Sequence, residues 1–63
     1  MYQELNTFII IPEANNVWNY VTFKCFEFEL NNLLIKEGMI GPDQHYTEFD
    51  WVIFKDGEMI QHG

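Results

Sequence analysis

Sixty-three residues make one small domain, and a chain this short buries only about 60% of the surface its unfolded form exposes. Ten carboxylates stand against three lysines and no arginine, giving a formal net charge of −7. That balance argues against direct binding to nucleic acid or to a membrane surface and favours basic proteins as partners. The single cysteine, Cys25, excludes an internal disulfide, and with only His45 and His62 beside it there is no zinc-site spacing.

Small domains without such staples often oligomerise. Eleven aromatic rings in a chain that is 48% apolar are more than one small core easily hides. A homodimer is therefore expected. The opening Met1-Tyr2-Gln3-Glu4-Leu5 lacks the basic and apolar regions of a secretory signal, and no apolar run approaches a membrane span. The expectation is a soluble cytoplasmic protein, in the host cytoplasm if its source is viral, and the unpaired cysteine fits a reducing compartment.

In chain order, Thr7-Phe8-Ile9-Ile10-Ile11 before Pro12 reads as a buried strand. Residues 17–23, rich in β-branched and aromatic types, read as a second strand, joined to the first across residues 12–16. Leu30, Leu33 and Leu34 at helical spacing, with Gly38 and Met39 just beyond, predict a helix over residues 26–37 that ends in a glycine cap. A competing pattern makes residues 13–37 one helix, with Trp18, Val21, Cys25, Phe28 and Ile35 on one stripe and Phe23, Phe26, Leu30 and Leu33 on another. Propensity disfavours the long helix.

The clearest element follows. Asp56-Gly57 between two β-prone runs signals a type I′ hairpin, because both central residues of that turn need positive φ. A two-residue loop sets Lys55 opposite Glu58, Phe54 opposite Met59, Ile53 opposite Ile60 and Trp51 opposite His62. Phe49, Trp51, Ile53 and Ile60 would then share a core face, and Glu48, Asp50, Val52 and Gln61 an acidic one. Val52-Ile53-Phe54-Lys55-Asp56-Gly57-Glu58 resembles the closing hairpin of thioredoxin-like domains. The likeness covers under a fifth of the chain and lacks the paired-cysteine motif, so no function follows from it. The fold class is α+β with a small antiparallel sheet, as ββαββ, or as βαββ if residues 13–37 are one helix.

Little in the chain carries chemistry. There is no serine, no glycine-rich phosphate loop and no arginine fork for phosphate or carboxylate substrates. A nucleophilic Cys25 would need a base from His45 or His62, and a lone cysteine without a local signature reads as a small buried hydrophobe. Asp43, His45 and Glu48 are close enough in sequence to evoke a metal site, but a polar loop after Gly41-Pro42 is the favoured reading, because nothing fixes the ligand geometry. The expectation is a non-enzymatic protein without cofactor or metal.

Carboxylates are the stronger signal. Glu48 and Asp50 on a strand would stand about 6.6 to 6.8 Å apart on one face, and Glu27 and Glu29 would repeat the pattern if extended. Such rows can imitate a phosphate backbone. With Asp56 and Glu58 they form the candidate site of an acidic inhibitor or modulator that occupies a basic site on another protein, a nucleic-acid-binding protein in the narrower form of this expectation. Size and composition resemble, in style, small viral and phage proteins that inhibit host enzymes. The alternative is an interaction module that binds through aromatic and aliphatic residues, with Trp18, Tyr20, Phe23 and Trp51 as anchors.

Overall fold

The computed structural model describes residues 4–13 and 15–62. Strands β1 (Asn6–Ile11) and β2 (Val21–Cys25) precede helix α1 (Glu27–Lys36). A 3-10 turn at Tyr46–Glu48 leads into β3 (Val52–Lys55) and β4 (Glu58–Gln61). All pairings in the four-stranded sheet are antiparallel and the strand order is β2-β1-β3-β4. This is the ββαββ arrangement. The single helix over residues 13–37 does not form, since β2 occupies its middle.

β1 is flanked on both sides, as its run of β-branched residues favours. Pro12, which has no N–H to extend a ladder, follows its end. The chain needs residues 12–20, rather than 12–16, to reach β2. Asn16 and Asn19 donate backbone bonds to the carbonyls of Glu13 and Asn16, so residues 17–20 belong to a turn and the second strand starts only at Val21. Asparagine's preference for turns outweighs the β-propensity of Val17, Trp18 and Tyr20.

α1 starts after an extended Phe26, whose N–H donates to Glu29 Oε1 at 3.0 Å. Phenylalanine has no acceptor to offer in return, so only this half of a capping box forms. Glu27 and Glu29 in the first turn and Lys36 in the last complement the helix dipole. At the other end Gly38 takes φ +79°, its N–H bonds the Ile35 carbonyl, and the Met39 N–H bonds that of Leu34. These two bonds define a Schellman motif.

Phe8, Ile10, Cys25 and Ile53 from one face of the sheet meet Leu30 and Leu34 of α1 and Ile40 beyond it, forming the buried core. Val21, Phe23, Tyr46, Phe49 and Trp51 pack around this cluster.

The β3–β4 turn has the expected geometry, with Asp56 at φ 51° and Gly57 at φ 85°. Lys55 faces Glu58 and Phe54 faces Met59, but Ile53 lies opposite Gln61. Ile60 is thus the extra residue of a β-bulge, and the expected pairs Ile53 with Ile60 and Trp51 with His62 are not made. The bulge brings Gln61 to the helix side, where its Nε2 donates to the carbonyls of Tyr46 (3.2 Å) and Phe49 (3.1 Å) and lies 3.4 Å from that of Trp51. Ile60 is left exposed. β3 begins at Val52, so Phe49, Asp50 and Trp51 precede the strand rather than belong to it.

Candidate functional site

The two expected carboxylate rows are not built. Glu48 sits in the 3-10 turn and Asp50 in the segment before β3, so the pair has no strand spacing. Glu27 and Glu29 occupy the first helical turn. Four of the six candidate carboxylates also hold the fold together. Glu27 pairs with Lys55 Nζ at 2.7 Å, the one ion pair among the described residues. Glu29 caps α1, and Glu48 Oε2 accepts the His45 N–H at 2.8 Å. Asp56 Oδ1 accepts the Thr7 N–H at 2.9 Å, and its Oδ2 accepts from Asn6 Nδ2 at 2.8 Å. Asp50 and Glu58 have neither a side-chain hydrogen bond nor an ion pair among the described residues.

Three of these carboxylates nevertheless gather. The start of α1 and the β3–β4 turn meet at one end of the domain, where Glu27, Asp56 and Glu58 surround Lys55. The hydrogen bond that Lys55 donates to Glu27, reinforced by these neighbouring charges, raises the Lys55 pKa. The Asp56 carboxyl is held below its ordinary value, first by the Thr7 amide and then by Asn6. Beside them, burial raises the Tyr46 phenol, with the Glu27 charge adding to the shift and Lys55 opposing it. One lysine among three carboxylates leaves this pole negative.

The aromatic candidates divide differently. Trp18 is 87% exposed and Tyr20 52%, both on the turn before β2. Phe23 and Trp51 are partly buried against the core, and Trp51 stacks on Phe49 with centroids 4.7 Å apart. They are anchored inward and do not join Trp18 in one patch.

The sheet face away from α1 is apolar, not acidic. Alternation along the strands places Ile9, Ile11, Val52, Phe54 and Met59 there, with Thr7, Thr22 and Lys24. Val17 and Tyr20 join Ile9, Ile11, Phe54 and Gly57 around a shallow groove of about 390 Å³. The sequence reading missed Ile9, Ile11, Phe54 and Met59 as surface residues. A signal existed: Phe8-Ile9-Ile10-Ile11 is apolar on both faces, yet the chain predicts only one helix to cover one of them.

Residues considered for chemistry are spoken for locally. Cys25 is buried and its thiol is raised by burial and then by Glu29, which favours the protonated form over the nucleophilic thiolate. His45 Nδ1 lies 2.8 Å from Thr47 Oγ1 and accepts from the Thr47 N–H at 3.3 Å. Among the described residues no three His, Cys, Asp or Glu side chains gather as a metal site, and no helix is long and apolar enough to cross a membrane. Comparison with protein-family models, with curated proteins and with solved structures finds no match.

Proposed function

We propose that this chain is a non-enzymatic binding protein, a small acidic modulator that occupies a basic site on another protein. The observation that supports this reading is uncompensated charge: ten carboxylates share three lysines, and one ion pair forms among the described residues. The negative field reaches outward, steering basic surfaces toward the pole of Glu27, Asp56 and Glu58. Because the expected strand spacings are absent, the reading rests on that field and pole. Mimicry of a nucleic acid is its narrower form, in which the basic site is one that binds a phosphate backbone.

The largely exposed Trp18 side chain favours a second reading, contact through aromatic residues. Capture from a lysate with the intact protein, washed at rising salt, separates the two. The acidic reading expects release at high salt, and weaker capture by a variant carrying Asp50→Asn and Glu58→Gln. Those two substitutions remove charge without touching an internal hydrogen bond. Salt-resistant capture that is lost in Trp18→Ala moves the site to the aromatic turn, and unchanged capture by the charge variant overturns the acidic pole.

A further inference from the structure

A two-layer domain with one helix leaves one face of its sheet open, and here that face carries Ile9, Ile11, Val52, Phe54 and Met59. We propose that a second copy of this chain covers it, sheet against sheet, in an isologous pair with the two helices outermost.

Charge selects the occupant. Each chain carries −7, so two copies can meet only where carboxylates do not face one another. The strand positions of the open face hold no carboxylate and one cation, Lys24, whereas Glu27, Glu29 and Glu58 lie on the helix side. A basic partner would gain nothing from this face and has the acidic pole instead. A second copy finds here an apolar surface free of its own carboxylates, and antiparallel sheets stack well when their strands are nearly aligned.

Area sets the strength. Four strands of 6, 5, 4 and 4 residues, about 4.8 Å apart with a rise of about 3.3 Å per residue, give the face a footprint of about 300 Å². Two such faces bury about 600 Å² together, below the ~1,200 Å² of a standard stable interface. The dimer is therefore weak and dissociates on dilution.

The salt response has the opposite sign to that of the acidic modulator. Screening weakens a contact with a basic partner, but it strengthens the pairing of two like-charged chains. The test is sedimentation of the intact protein from about 1 µM to 1 mM at low and high salt, with Met59→Glu, Ile9→Glu and Phe28→Glu beside it. The expected result is a mass that doubles with concentration and does so earlier at high salt. Met59→Glu and Ile9→Glu abolish the doubling, while Phe28→Glu, on exposed helix surface away from the face, leaves it intact. Circular dichroism checks folding, and Met59, already half-exposed, decides the matter should Ile9→Glu unfold. A monomer at every concentration overturns the proposal, as does a dimer that survives both face variants. Lysate capture by monomeric Met59→Glu keeps this question separate from the acidic pole.

Discussion

Asp56 and Thr7, far apart in sequence, are bonded to each other twice. The Asp56 N–H donates to the Thr7 carbonyl at 2.8 Å, and Asp56 Oδ1 accepts the Thr7 N–H at 2.9 Å. The turn that closes the second hairpin is thereby fastened to the start of the central strand. The bond to the carboxylate is charge-assisted, and such bonds are stronger than neutral ones.

Asp56→Ala should lower the thermal midpoint, and more so than Glu58→Ala, which removes a carboxylate without a side-chain bond. The effect should depend on pH. The folded Asp56 pKa lies below its unfolded value, so its stabilisation is present above about pH 4 and fades as pH falls through the folded pKa. Urea titrations of both proteins between pH 2 and 7 should show their difference shrinking toward acid. A constant difference would sink the argument.

Gly38 holds φ +79° with open space where a Cβ would project. Gly38→Ala should destabilise by about 1–2 kcal/mol through left-handed backbone strain alone. Gly38→Asn should cost less, because asparagine tolerates that region. Chemical denaturation of the two variants orders them, and the reverse order contradicts the cap.

Leu34 is fully buried in the middle of the core. Leu34→Ala should cost about 2–5 kcal/mol. A chain of this length has a total stability of only about 3–9 kcal/mol, so far-UV circular dichroism at room temperature should show much or all of the fold lost. A Leu34→Met control should keep it.

Cys25 is 3% exposed and its thiol pKa is raised. Its reaction with a disulfide reagent at pH 8 should be slow in the native protein and should accelerate at least tenfold in urea. Rapid native labelling would place the thiol at the surface.

What was legible in the sequence was whatever a few consecutive residues decide. Asp56-Gly57 specified its turn because positive φ is a property of those residues, and Gly38 marked the helix end for the same reason. The bulge at Ile60 was not legible, because it depends on Gln61 reaching carbonyls ten to fifteen residues away. Nor was the strand start at Val21, where the asparagines around Val17 and Trp18 prevailed over β-propensity. The internal duties of the acidic candidates were hidden, since Glu27 meets Lys55 across 28 positions and Asp56 meets Asn6 across 50.

The one-residue offset at Ile60 acts as a phase shift whose effect reaches beyond the hairpin. By turning Gln61 inward, it makes the outermost strand the anchor of the segment from Tyr46 to Trp51. Peeling β4 from the sheet then strands the Tyr46 and Phe49 carbonyl oxygens at once, so edge and loop open together. An edge strand would ordinarily be the first part of a sheet to fray. Here its fraying is tied to a loop packed against the core, and amide exchange along β4 should be slower than its position at the border implies.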